Sequence, residues 1–171
     1  MSFPKMFSPQ GRFPLTKRVF GIWKTRAPPQ SAYPLDPDLA TAIAAMMVYD
    51  GNFWGGVLVL LCFGTLMGVV EGLGLRWGNL FFPREFDLPG SIYFGAIKAN
   101  QEQHVPLMLG SLLILMRVLR DKYGKDPASR IFRSKYHQFR FWFRSCPERL
   151  GSSVKHFRSH SMRRGGATWM L

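Results

Sequence analysis

Apolar residues recur at helical spacing along most of this chain and cluster as short β-type runs in one central region. The string LATAIAAMMVYD reads as a helix ending near Asp50, with Asp36 or Asp38 placed to cap its start. Asp50-Gly51-Asn52 is a turn. Residues 53–70 then contain no charged side chain over eighteen positions, the lower edge of a membrane-spanning candidate. Gly55, Gly56, Gly64 and Gly68, with Glu71 just beyond, favour a buried core helix instead. Leu80-Phe81-Phe82, residues 91–99 and residues 104–108 are apolar or β-branched around a polar ANQEQ turn, the pattern of a β-hairpin. Residues 107–122 return to a helical pattern that stops at Tyr123-Gly124, and Asp126-Pro127 is a break. Residues 134–145 predict an amphipathic helix stopped by Pro147, with Tyr136, Phe139, Trp142 and Phe143 spaced as core residues. The order is two helices, a small sheet and three helices.

Length and composition narrow this picture. A chain of 171 residues suits one domain, and 47% hydrophobic content supports a packed core. Residues 1–34 differ, being rich in proline, serine and basic residues, and read as an extended, poorly ordered arm. The basic, acid-free composition is also that of an organelle transit peptide, against which the prolines argue. Charge is one-sided. The formal net charge is +13, and residues 116–165 carry fourteen Lys/Arg against three acids. Such a field selects a polyanion, nucleic acid first and an anionic membrane second. Cys62 and Cys146 lie far apart without metal-ligand spacing, which points to a reducing compartment. His156 and His160 stand four apart with no third ligand in view, so no metal site is expected.

The chemistry concentrates in the final segment, HSMRRGGATWML. A phosphate under attack gathers negative charge that fixed cationic donors can stabilise. Ser159 or Ser161 can cap a helix here, and a helix start favours phosphate. His160 and Arg163, three apart, share one face. Arg163 offers a planar fork to two phosphate oxygens, and His160 a donor or proton carrier. Gly165, Gly166 and Ala167 leave room for close packing.

The string HSMRRGGATW resembles box II of the tyrosine recombinases, the phage-integrase family, in its HSLRRGGAT form. LMGVVEGLGLRWGNL resembles the family's box I, with Glu71, Leu73, Leu75, Trp77 and Asn79 on pattern positions. IKANQEQHVPL resembles its TKTGxxQxVPL hairpin. The resemblance spans about residues 35–171. It implies a mainly α catalytic domain with a small three-stranded antiparallel sheet, here incomplete. It implies double-stranded DNA as partner, other recombinase protomers assembled on that DNA, an intracellular, DNA-associated location and no cofactor. By the resemblance, Lys98 is the general acid for the leaving 5′ oxygen, and His160 and Arg163 are transition-state donors. Lys98, Arg163 and Arg164 would contact DNA. Leu75 and Trp77 would pack, and Glu71 would be structural, holding a nearby N–H or cation.

Two departures limit the transfer. Gly68 stands where the family keeps its first catalytic arginine. Loss of a comparable donor costs about 10²–10³ in rate. The nucleophilic tyrosine follows box II in the family, whereas all five tyrosines here precede it, so none is assigned as nucleophile. The expectation is DNA binding, as in site-specific recombination and integration, without cleavage by this chain. The competing expectation is a small, single-span membrane protein anchored by residues 53–75.

Overall fold

The first helix, α1 (Pro37–Tyr49), starts where a proline can begin a helix without loss. Asp36 caps it, its carboxylate accepting the Asp38 N–H at 2.8 Å. The turn that follows uses Gly51 at φ 82°. Asn52 then caps α2 (Phe53–Thr65), its side-chain oxygen accepting the Gly55 N–H at 3.0 Å. Helix α2 is the apolar centre of the molecule and is buried from Gly55 to Thr65 apart from Leu60. The structure, a computed structural model, describes residues 32–83, 88–96, 102–107, 109–152 and 157–169. The arm expected over residues 1–34 lies almost wholly outside them.

The apolar run does not continue as one helix. Leu66 adopts φ 57°, left-handed geometry that costs an L-residue about 1–2 kcal/mol. It ends α2, and a short helix, α3 (Val69–Gly74), starts afresh at Gly68. At thirteen residues α2 is about 20 Å long, against about 30 Å of bilayer hydrocarbon. Among the described residues no helix is long and apolar enough to cross a membrane.

A 3-10 turn (Trp77–Asn79) leads into strands β1 (Leu80–Phe81), β2 (Gly90–Ala96) and β3 (Glu102–Leu107). They form a three-stranded antiparallel sheet in sequence order. Leu107 pairs with Gly90, so the chain is still strand where helical periodicity already begins. Helix α4 (Gly110–Tyr123) therefore starts three residues later than its pattern predicts. Helix α5 (Tyr136–Arg149) runs through Pro147 rather than stopping before it. The proline sits in the last turn and is buried. The chain closes after it through hydrogen bonds from Leu150 to Cys146 and from Ser152 to Pro147. Helix α6 (Ser159–Trp169) carries the HSMRRGGATW string. The architecture is thus mainly helical with one small antiparallel sheet, as the sequence pattern predicts, with α3 and the 3-10 turn as additions.

One core joins these elements. It includes Ile43 and Met47 of α1, Ile92 and Leu107 of the sheet, Met116, Phe132, Phe139, Phe143 and Met162. Leu75 and Trp77 are buried in it. Of the aromatics expected as core in α5, Phe139 and Phe143 are buried and Trp142 partly so. Tyr136 is 39% exposed, because its position in the first turn projects past the core toward α6.

Both cysteines are free and fully buried. Burial pushes the Cys62 thiol far above its ordinary range, and the nearby charge of Glu71 adds to this. Burial also raises Cys146, against a hydrogen bond with Ser145. A thiol that cannot ionise does not react. In the folded protein at pH 8, a thiol-disulfide reagent is expected to find neither cysteine. Both should appear on denaturation, and fast labelling of the native chain would contradict this burial.

Candidate nucleic-acid interface

Helix α6 is held by backbone contact. The Leu35 N–H donates to the Ser161 carbonyl at 3.0 Å, and Ser161 and Met162 are fully buried. Gly165 and Gly166 lie so close to their neighbours that added Cβ atoms would fall 1.9 Å from the Leu35 carbonyl oxygen and 2.0 Å from that of Phe63. Neither serine caps the helix as expected. Ser161 sits inside the first turn, where its hydroxyl oxygen accepts the Arg158 N–H at 3.0 Å. Ser159 instead pairs with the Tyr136 hydroxyl, 3.2 Å away.

With one face fixed inward, the other presents His160, Arg163 and Arg164 to solvent. His160 opens onto a cleft of about 380 Å³ between α5 and the start of α6. Tyr136, Arg140 and Arg144 line one wall, and Arg158 and Ser159 stand beside His160. Phe139 and Phe143, stacked at 5.9 Å, line its apolar side. Among the described residues no carboxylate lines it. Arg163 and Arg164 are exposed on the same helix but do not line the cleft.

Other arginines of the basic stretch are spent within the fold. Arg117 donates to the Pro83 carbonyl, and the Arg120 guanidinium lies 4.6 Å from the Phe82 ring centroid. Arg149 pairs with Asp50, the one ion pair among the described residues. Arg140, Arg144, Arg158, Arg163 and Arg164 thus have no acidic partner among those residues. Guanidinium groups beside a hydroxyl and an imidazole, with no ion-pair partner among the described residues, suit an oxyanion such as a phosphodiester.

The remaining candidates divide. Lys98 lies outside the described residues, between β2 and β3, whose antiparallel pairing makes the expected hairpin. Gly68 begins α3, and its N–H donates to the Glu71 carboxylate at 2.6 Å. Its backbone, at φ −76° and ψ 150°, is open to any residue. A Cβ there would meet only the Glu71 carboxylate, at 3.2 Å. The backbone there does not require glycine, and the nearest atom to an added Cβ is the end of a flexible side chain. Leu66, two residues earlier, lies against α6, since a Cβ on Gly166 would fall 2.7 Å from its Cδ2. The start of the LMGVVEGLGLRWGNL segment and α6 are thereby neighbours. Among the described residues no three His, Cys, Asp or Glu side chains gather as metal ligands.

Sequence reasoning missed Arg140, Arg144, Arg158 and Tyr136. A signal existed, because Tyr136, Arg140 and Arg144 follow one another at i, i+4 along α5. That face reads as ordinary solvated surface until α6 is placed beside it. No protein-family model matches this chain, and no curated protein sequence matches it closely enough to count as a relative.

Proposed function

We propose that residues 35–171 are a tyrosine-recombinase-like domain that binds double-stranded DNA through its phosphates and does not cleave it as this 171-residue chain. One observation carries the reading: His160 of the box II string shares a cleft with three arginines, and among the described residues no carboxylate lines that cleft or pairs with those arginines. The neighbouring box I segment and the β2–β3 hairpin support it.

In this reading Arg140, Arg144 and Arg158 bind phosphate oxygens along one strand. Arg163 and Arg164 extend the contact along α6, and His160 donates to a non-bridging oxygen. Lys98 on the hairpin would reach the leaving 5′ oxygen. Phosphate contacts position the duplex and carry no base preference. Affinity for arbitrary duplex DNA is then about 10⁻⁴–10⁻⁶ M at physiological salt.

Cleavage would be transesterification, a tyrosine hydroxyl attacking phosphorus and expelling the 5′ hydroxyl. This chain offers Gly68 where a second arginine would clamp the phosphate. Incubation with a nicked suicide duplex is expected to give bound DNA and no protein–DNA covalent adduct. An adduct surviving denaturing electrophoresis would overturn the inactivity. Failure to bind a labelled duplex at 50 mM salt would overturn the DNA reading itself.

A further inference from the structure

A second cavity, of about 720 Å³, shares no residue with the α5–α6 cleft. Its walls come from the start of α2, the end of α4, the 3-10 turn and the segment before α5. Trp54 is its hub. Phe53 and Tyr123 each stand edge-to-face on Trp54, with ring centroids 5.4 and 5.6 Å away. Trp77 and Phe132 fix Trp54 from the core side at 6.2 and 6.1 Å. Phe53 and Tyr123 nonetheless remain 38% and 49% exposed. Lys122 lies 5.2 Å from the Tyr123 ring centroid.

Arg130 and Arg133 line the same cavity, and among the described residues no carboxylate does. The segment bearing them is held in place. Arg130 bridges to Arg76 through its backbone, the Ile131 N–H donates to the Leu75 carbonyl at 3.0 Å, and the Trp77 N–H donates to Ser129 at 3.2 Å. Two half-exposed rings and two guanidinium groups, without acidic partners among the described residues, are therefore presented on a fixed frame. The volume falls in the small-molecule range of about 300–1,000 Å³.

We propose that this cavity binds a nucleotide unit, its base stacked on Phe53 and Tyr123 and its phosphate held by Arg130 and Arg133. The rings supply a π-face that accepts any base. The arginines supply bidentate donors to phosphate. The missing carboxylates disfavour a cationic ligand, and an uncharged aromatic one would leave the arginines unused. The unit is either a free mononucleotide or an unpaired nucleotide of a strand. The proposal does not rest on the recombinase-like reading, because a free nucleotide requires none of it.

The test uses the full 171-residue chain and its tryptophan fluorescence, since Trp54 and Trp77 line the cavity. The probes are adenosine 5′-monophosphate, adenosine, inorganic phosphate and a tetradeoxyadenylate. The monophosphate is expected to quench saturably and to bind about tenfold more tightly than adenosine or phosphate alone. Tyr123→Ala and Phe53→Ala should each weaken it about tenfold. Arg130→Ala/Arg133→Ala should erase its advantage over adenosine. Tetradeoxyadenylate displacing it at tenfold lower concentration identifies a strand as the source. No such displacement identifies the free nucleotide. An Arg140→Ala/Arg144→Ala/Arg158→Ala variant should bind the monophosphate unchanged, which separates this site from the α5–α6 cleft. Absence of saturable quenching, or equal binding by the native chain and by both the aromatic and arginine variants, overturns the proposal.

Discussion

Gly166→Ala is expected to lower the melting temperature by about 10 °C, a large effect for a single methyl group. Alanine favours a helix over glycine by about 1 kcal/mol. The new Cβ, however, would sit 2.0 Å from the Phe63 carbonyl oxygen and 2.7 Å from Leu66 Cδ2. A leucine can rotate away, but a helical carbonyl cannot. Overpacking typically costs about 1–3 kcal/mol and sometimes more. Relief requires α6 to back away, which strains the hydrogen bond from Leu35 to Ser161 and exposes Met162. A net loss of about 3 kcal/mol then corresponds to about 10 °C for a chain of this size. Gly165→Ala should behave alike, because its Cβ would meet the Leu35 backbone at 1.9 Å. Gly74→Ala is the control. Nothing lies within 4 Å of its Cβ position, so its effect should stay within about 0.5 kcal/mol. Thermal unfolding followed by circular dichroism decides the matter. Equal melting temperatures for Gly166→Ala and Gly74→Ala would refute the close packing of α6.

The triple variant Arg140→Ala/Arg144→Ala/Arg158→Ala should bind duplex DNA about 100-fold more weakly at 0.1 M salt, with little change in stability. All three side chains are exposed and none has an acidic partner among the described residues, so the fold loses little. Each arginine removed from a phosphate forfeits about 1 kcal/mol of charge-assisted binding. Arg117→Ala and Arg120→Ala provide the contrast. Those side chains hold the segment after β1, through the Pro83 carbonyl and the Phe82 ring. Their removal should cost stability more than DNA affinity. Anisotropy with a labelled duplex measures both sets. Equal losses of affinity across them would reduce the cleft to general surface charge.

Local signals account for what was legible in the sequence. Asp36 and Asn52 cap their helices through contacts two and three residues away, so α1 and the start of α2 could be read directly. The paired glycines of box II announced close packing, and the packing partners are backbone atoms of Leu35 and Phe63. Non-local contacts hid the rest. The break at Leu66 interrupts a uniformly apolar run at the residue that meets α6, and no change in periodicity marks it. Leu107 belongs to the sheet because it pairs with Gly90, although its own neighbours read as helix. Pro147 reads as a stop, whereas a proline in a final turn forfeits only its own bond to the carbonyl four residues back, and Leu150 and Ser152 still close the helix onto Cys146 and Pro147. The site followed the same rule. His160 and Arg163 were visible within one string. The arginines that share the cleft with His160 come from α5 and from Arg158, and only the docking of α6 assembles them.

The most direct test of the central claim is the salt dependence of duplex binding by the native chain and the triple-arginine variant. Neutralising each phosphate releases counterions and contributes about −0.9 to the slope of log affinity against log salt. Phosphate binding in the cleft predicts a slope of about −3 or steeper for the native chain, and one shallower by two to three units for the variant. A flat line for the native chain, or the same steep slope for both, would contradict it.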